Sequence, residues 1–329
     1  MHAKEDKMNR LSHFLVALLL GLLPTLALAQ GAANFPNKSI RIVVGFGPGG
    51  PTDIFGRLYA SHLERKYKQP IIVDNRPGAG QLVGADLVAK SAPDGYTLMA
   101  STNTLGFESL LNKDSPLDTT KDILPFGIIA GSGLFIGVHS SLPVKNMAEF
   151  IAWVRANPGK LNVGTAGAPV SEFEGLRDKM GLNWVNVNYK GGAAAMTALM
   201  AGEVHMYTPD LNQGLAGVKE GRVRLLSYSE GQRHLGAPDV PTVAESGIGA
   251  TDFRMQIWLG MFAPPGVPAD IINKLNADVN EMAAAQDAFS RINAMGWRTI
   301  PSNVETIRKN LVATNEQIAA LLAKGVKLR

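Results

Sequence analysis

Cysteine is absent from this chain of 329 residues. Its absence excludes a disulfide framework, a thiolate metal site and the acylated cysteine of a lipoprotein. Aromatic residues are scarce at 7%, and Lys and Arg exceed Asp and Glu only by 32 to 28, a formal charge of +4. The basic residues are scattered and no aromatic residues are interleaved with them, so the composition argues against a nucleic-acid partner.

Long hydrophobic runs are also scarce, and the one clear run lies near the N-terminus, at residues 14–28. It is shorter than the roughly 20 residues that a membrane-spanning helix needs. Basic residues precede it, and Ala27-Leu28-Ala29 follows the small-x-small cleavage pattern. These features predict a cleaved signal peptide over residues 1–29 and an exported, periplasmic product, with translation starting at Met1 or Met8.

The rest of the chain alternates strand-like and helical segments. Its first part reads IRIVV, a helix over about 53–67, PIIVD, a helix over about 85–89 and YTLMAS. This β-α-β-α-β order predicts a mostly parallel sheet with helices on both faces. A second set follows residue 138, and about 300 mature residues suit two domains. The apolar stretches 124–138 and 253–263 are predicted to cross between them.

A glycine-rich turn follows the first strand, in the segment IRIVVGFGPGGPTDIFGRL. Gly45, Gly47 and Gly50 satisfy the Gly-x-Gly-x-x-Gly spacing. Asp74 ends the next apolar run, at about the position where a dinucleotide-binding fold has its ribose-binding carboxylate. A dinucleotide-dependent oxidoreductase is therefore the alternative interpretation. Export argues against it, because exported proteins do not normally meet free NAD.

The same turn is suited to bind an anion. A helix N-terminus presents unpaired N–H groups and about half a positive charge. Glycines at 47, 49 and 50 allow close approach, and Thr52 or Asp53 is expected to cap the helix. A second strand-turn-helix junction, Gly164 to Gly167 with Ser171 nearby, repeats this design in the second half. We expect the two turns to face a common cleft.

Other chemistries have little support in the sequence. The mature histidines are His62, His139, His205 and His234, and they form no i, i+4 pair. No metal site is predicted from them. The chain has no Gly-x-Ser-x-Gly nucleophile turn, so an exported hydrolase lacks an identifiable nucleophile.

Several long segments match a known family. They read FPNKSIRIVVGFGPGGPTD, DNRPGAGQLVGADLVAKSAPDGYTLM, NPGKLNVGTAG, YKGGAAAMTALMAGEV, APDVPTVAESG and WLGMFAPPGVP. From about Phe35 to its C-terminus, the chain resembles the periplasmic substrate receptors of tripartite tricarboxylate transporters, known as Bug receptors.

The resemblance implies an α/β fold, a two-lobed clamshell of the type II periplasmic binding protein kind, with two crossing strands as the hinge. Lobe 1 would comprise residues 30–132 and 255–329, and lobe 2 residues 133–254. It implies a monomeric receptor without catalysis, cofactor or metal, which delivers a small carboxylate to the membrane components of its transporter. Aliphatic di- and tricarboxylates and aromatic acids all remain open as ligands.

The family's ligand-binding turns also carry over to this sequence. The resemblance implies a carboxylate held by backbone amides and waters, in a site that comprises Phe46, Gly47, Gly49, Gly50, Thr52, Ser101, Thr102, Asn103, Thr165, Ala166, Gly167, Ser171, Tyr189, Lys190, Gly191 and Asp210.

The chain departs from the family pattern in three places. Gly45 and Gly47 stand in the first turn, where the family has Pro-Phe-x-Pro-Gly-Gly, and they create the dinucleotide-like spacing. Pro169-Val170 replaces Gly-Ser in the second turn. Pro209 stands where many members have an aspartate, with Asp210 one residue later. The last change favours an acidic ligand over one with an amino group.

Overall fold

The structure is a computed structural model that describes residues 34–112, 115, 117–165, 170–189, 192–323 and 325, with backbone only for residues 170 and 171. The predicted signal peptide, residues 1–29, lies outside these ranges.

Strands and helices alternate along most of the described chain. The strands are β1 Ile40–Val44, β2 Ile71–Asn75, β3 Thr97–Thr102, β4 Leu124–Gly133, β5 Phe135–His139, β6 Asn162–Thr165, β7 Val185–Asn188, β8 Met206–Tyr207, β9 Val223–Tyr228, β10 Gln256–Ala263 and β11 Arg298–Thr299. The helices are α1 Pro51–Tyr67, α2 Leu82–Ala89, α3 Glu108–Leu111, α4 Met147–Ala156, α5 Val170–Met180, α6 Gly192–Ala201, α7 Leu211–Lys219, α8 Ala269–Ala284, α9 Gln286–Ala294 and α10 Val304–Ala323.

The strands form two sheets. The first has the order β11-β4-β10-β3-β1-β2, and the second has the order β7-β6-β8-β5-β9. We call the first sheet with α1 to α3 and α8 to α10 lobe 1, and the second sheet with α4 to α7 lobe 2. Each lobe has its own main hydrophobic core, around Phe55 and Tyr59 in lobe 1 and around Phe150 and Trp184 in lobe 2.

Strand β1 lies in the interior of lobe 1. It pairs in parallel with both β2 and β3, and its run of β-branched residues is buried at four of five positions. A strand covered on both faces by helices is expected to be continuously apolar rather than alternating. The glycine turn that follows β1 therefore lies at the C-terminal edge of the sheet, where helix α1 begins.

Two segments cross between the lobes, where the sequence predicted them. Strand β4 ends at Gly133, and after Leu134 the chain enters the second sheet as β5. Strand β10 returns the chain to the first sheet and pairs antiparallel with β3 and β4. The predicted two-lobed α/β fold is confirmed. The sequence did not predict α9 and β11, which bring Trp297 against Phe55 of α1, with ring centroids 5.7 Å apart.

Candidate functional site

A cavity of about 440 Å³ lies between the two lobes. Lobe 1 and the turn before β11 contribute Phe46, Gly50, Pro51, Thr52, Thr102 and Trp297. The crossing strands and the residue between β4 and β5 contribute Ser132, Leu134, Ile257 and Leu259, and lobe 2 contributes Gly192, Tyr207, Thr208, Asp210 and Gln213. A ligand here would contact both lobes and the segments that connect them.

The N-terminus of α1 opens into this cavity. Its N-cap is Gly50, whose backbone is extended (φ −79°, ψ 169°) and which makes no side-chain capping bond. Pro51 at the first helical position has no N–H. The N–H groups of Gly50, Thr52 and Asp53 precede the first helical hydrogen bond, which runs from the Ile54 N–H to the Gly50 oxygen, so they have no partner within the helix. The expectation that Thr52 or Asp53 is the N-cap is wrong, because the helix starts two residues earlier than predicted.

Asp53 holds the glycine turn in place rather than facing a ligand. Its buried carboxylate accepts hydrogen bonds from the Gly49 N–H at 2.9 Å, from Arg57 at 3.0 Å and from the Asn75 amide at 2.9 Å. Burial alone would raise the pKa of Asp53, but the hydrogen bonds from Arg57, Gly49 and Asn75 outweigh it and lower the pKa. The Gly49 N–H is thus already engaged.

The other features of the dinucleotide-like motif have structural partners. A Cβ at Gly45 would lie 2.8 Å from Met99 Cε, so this glycine permits close packing inside lobe 1. The Asp74 carboxylate pairs with Arg41 and Arg76, and the Arg41 hydrogen bond lowers its pKa. Neither Gly45 nor Asp74 lines the cavity, and the oxidoreductase alternative has no support from this geometry.

The predicted trio at the end of β3 divides among three environments. Ser101 is fully buried, and its hydroxyl donates to Gln81. Thr102 lines the cavity, with its hydroxyl 2.6 Å from that of Thr104. Asn103 donates to the backbone oxygen of Gln256 at 3.1 Å and lines a different cavity, of about 360 Å³. Sequence reasoning missed Gln81, which holds this segment.

The crossing strand β10 separates the two cavities. Ile257 and Leu259 line the interlobe cavity, whereas Gln256 and Trp258 line the second one. Successive side chains of a strand point to opposite faces, so the two cavities lie on opposite faces of β10. The same alternation, applied to the predicted crossing strand, was the signal available for Ile257 and Leu259.

The predicted second turn is only partly described. Thr165 is buried, and its hydroxyl donates to the Asn188 side chain instead of lining the cavity. Ala166 and Gly167 lie outside the described ranges, and Ser171 is described only as backbone within α5.

Further along lobe 2, Tyr189 packs beside a small core that contains Tyr207. Lys190 and Gly191 fall among the residues that the structure does not describe. Asp210 lines the cavity and is the N-cap of α7, accepting from the Gln213 N–H at 2.8 Å. Burial, and to a lesser degree Asp210, raises the pKa of the Tyr207 phenol.

Of the remaining predicted residues, Phe46, Gly50 and Thr52 line the cavity. Gly47 and Gly49 are exposed on the same turn but do not line it.

A cluster of possible metal ligands lies elsewhere on lobe 1. His62 of α1 faces Asp278 and Glu281 of α8, with ligand atoms within 4.8 Å of one another. The ammonium of Lys66 pairs with both carboxylates and lies 2.8 Å from Asp278. A lysine thus already supplies the cation there. The sequence did not predict the cluster, because its members are distant along the chain.

The comparison with known families decides the assignment. Residues 55–309 match the family described as "Tripartite tricarboxylate transporter family receptor". The chain belongs to this family. The resemblance stated from the sequence segments is therefore confirmed.

Relatives of this receptor support the assignment over most of its length. A "UPF0065 protein" of Bordetella pertussis is 32% identical, with 88% of this chain and 92% of the relative covered. The structure of Rpa4515 from R. palustris, with adipate, is 27% identical with a TM-score of 0.71, covering 87% of this chain and 98% of that one. MatC from Rhodopseudomonas palustris, with bound malate, is 26% identical with a TM-score of 0.67, covering 87% and 99%.

The receptor's described helices were also considered as membrane spans. None of those helices is both long and apolar enough to cross a bilayer.

Proposed function

We propose that this protein is a periplasmic receptor that binds a small carboxylate between its lobes and delivers it to the membrane components of a tripartite tricarboxylate transporter. One observation carries the proposal, namely the uncapped N-terminus of α1 at the interlobe cavity. Gly50 has no side chain there, and a Cβ at this position would meet nothing within 4 Å. A carboxylate can therefore approach the amides of Gly50, Thr52 and Asp53 closely.

The relatives support the same ligand class. Two family relatives have carboxylates in their solved structures, adipate in one and malate in the other. In this chain the anion would sit at the end of α1, where amide donors and the helix dipole supply positive potential, and none of the described residues that line the cavity has a basic side chain. Binding rather than catalysis is the proposed role.

Closure of the lobes is part of the proposal. A net contribution of about 0.5–1.5 kcal/mol per amide hydrogen bond cannot alone reach the roughly 8 kcal/mol of micromolar affinity. Contacts from lobe 2, through Tyr207, Thr208 and Gln213, would supply the remainder when the cleft shuts. Gly133-Leu134 and the start of β10 would act as the hinge. We place the lobe boundaries at 30–132 plus 255–329 and at 133–254, and we propose a monomer whose first 29 residues are removed on export.

A thermal-denaturation screen tests the proposal. At a hundredfold excess over the dissociation constant, a ligand stabilises the folded state by about 2.7 kcal/mol, which corresponds to several degrees for a protein of this size. We expect one or a few carboxylic acids to raise the melting temperature and NAD to leave it unchanged. If NAD raised it and no acid did, the receptor proposal would be lost. Small-angle scattering with the stabilising acid should then show a smaller radius of gyration.

A further inference from the structure

Much of the wall of the interlobe cavity is apolar. Leu134, Ile257 and Leu259 come from the crossing segments, and Phe46, Tyr207 and Trp297 add three aromatic rings. Aromatic residues make up only 7% of the chain, so their convergence on one cavity is a property of the site rather than of the composition. An apolar ligand body would displace water from this wall at a gain of roughly 25 cal/mol per Å².

Two of the rings are held in place by packing. Trp297 meets Phe55 edge-to-face, with an interplanar angle of 88°. Tyr207 is 6% exposed and belongs to the small core of lobe 2. Phe46 differs, since it is 37% exposed on the glycine turn and covers the cavity from the side of lobe 1. A ligand body would lie between fixed surfaces from both lobes.

The charges around the cavity disfavour a second carboxylate on the ligand. Among its described lining residues, Asp210 is the only charged one, and it lies across the cavity in lobe 2. A second carboxylate on the ligand would face this like charge, the apolar wall or the neutral side chains of Thr208 and Gln213. None of these described groups is cationic, and a buried anion without a cationic partner is disfavoured.

Size is consistent with a compact ligand. About 440 Å³ lies near the lower end of the roughly 300–1,000 Å³ typical of small-molecule pockets. We propose, resting on the receptor function above, that the ligand is a monocarboxylic acid with a compact apolar body, bound in preference to di- and tricarboxylates. Its carboxylate occupies the amides at the start of α1, and its body lies against Trp297, Tyr207 and Leu259.

The test is calorimetric titration of the mature protein with matched acids. Hexanoate and adipate have the same chain length and differ by one carboxylate, phenylacetate adds a ring, and malate and citrate represent short polyacids. We expect hexanoate or phenylacetate to bind at least about tenfold more tightly than adipate, malate and citrate, a difference of about 1.4 kcal/mol. Tighter binding of the polyacids would overturn this inference and leave the receptor function standing. Binding of none of these acids would contradict both.

Two variants locate the two halves of the ligand. Asp210→Asn retains an effective N-cap for α7 and removes the like charge. It should improve adipate binding about tenfold relative to hexanoate, by about 1.4 kcal/mol. An unchanged ratio would contradict the proposed position of Asp210.

Trp297→Leu should weaken phenylacetate binding more than propionate binding, because propionate has little body to contact the ring. Trp258→Leu is the matched control, since Trp258 lines the cavity on the opposite face of β10. If Trp258→Leu altered the phenylacetate-to-propionate ratio and Trp297→Leu did not, the proposed orientation would be wrong. A melting curve for each variant confirms that it is folded.

Discussion

The two lobes contribute to the cavity in different ways. Lobe 1 presents a helix N-terminus whose cap residue, Gly50, has no side chain. The glycine turn before it is held in place by Asp53, which accepts the Gly49 N–H. Lobe 2 presents the start of α7, where the carboxylate of Asp210 already accepts the Gln213 N–H. The same structural element is thus open to an anion in one lobe and occupied by an acidic side chain in the other.

This difference shows that a helix N-terminus is not by itself an anion site. An anion site needs first-turn N–H groups that no side chain occupies and a cap residue that adds no negative charge. Gly50 has no side chain and meets both conditions, whereas Asp210 accepts the Gln213 N–H and adds a negative charge. We therefore expect the ligand's carboxylate to bind lobe 1 and its body to face lobe 2.

The largest effect should come from filling the open helix end. Gly50→Val would place a branched side chain at the cavity, because Gly50 lines it and a Cβ there meets no neighbouring atom within 4 Å. We expect at least a hundredfold loss of affinity, about 2.7 kcal/mol. Gly47→Val is the matched control, as it has no close neighbour and lies outside the cavity lining. Equal affinity losses in the two variants would show that the loss does not depend on the position of Gly50 at the cavity.

Gly50→Ser tests the same helix end with a small side chain. Serine is a favoured N-cap, and its hydroxyl would accept the hydrogen bond of a first-turn N–H that the ligand otherwise uses. Affinity should fall although the melting temperature stays the same or rises. Retained affinity, measured by calorimetry, would show that the ligand does not use these amides.

Substitution of Asp53 should have an effect of intermediate size. It should lower the stability of the fold rather than alter recognition of the charged ligand. Asp53→Asn should reduce the free energy of unfolding by about 2 kcal/mol, because a buried, charge-assisted hydrogen-bond network is lost. The folded-state pKa of Asp53 is lowered, so its stabilising contribution is present above its ordinary pKa of about 3.9 and is lost as pH falls through the lower folded value.

Melting curves between pH 7 and pH 3 check this prediction. The difference between the wild type and Asp53→Asn should shrink only at the acid end. A constant difference over the whole range would mean that the Asp53 charge is not what stabilises the turn.

A smaller effect is expected at Thr165 in lobe 2. Its hydroxyl donates to Asn188 within the lobe, so Thr165→Ala should lower stability by about 1 kcal/mol and leave carboxylate affinity unchanged. Paired melting and calorimetric measurements separate the two effects. A clear affinity loss without a stability loss would place Thr165 at the ligand and weaken the distinction between the lobes.

The sequence predicted the parts of the site that depend on local patterns. The glycine turn, the crossing strands and the family segments were all readable from neighbouring residues. Trp297 and Tyr207 were not, because they reach the cavity only through the tertiary placement of β11 and β8. Ser101, Thr102 and Asn103 lie in different environments because they stand at the end of β3. The direction of each side chain there depends on contacts with Gln81 and Gln256, which are distant along the chain.

The glycine spacing was misleading for a physical reason. Gly45 packs closely against Met99 and Gln81, whereas Gly50 leaves a helix end open. Two unrelated needs for glycine thus account for two of the three glycines in the dinucleotide-like motif. A pattern of residue types does not distinguish these needs, whereas the backbone angles and neighbours do.

The proposed function depends on a carboxylate that binds the free amides at the start of α1. Amide proton and nitrogen shifts of the isotope-labelled receptor, followed while a stabilising acid is titrated, test it most directly, because no substitution is needed. We expect the amides of Gly50, Thr52 and Asp53 to show the largest downfield proton shifts, whereas the signal of the Gly49 amide, already bonded to Asp53, should shift less. Saturable binding with the largest shifts at the start of α7, and none at the start of α1, would contradict it.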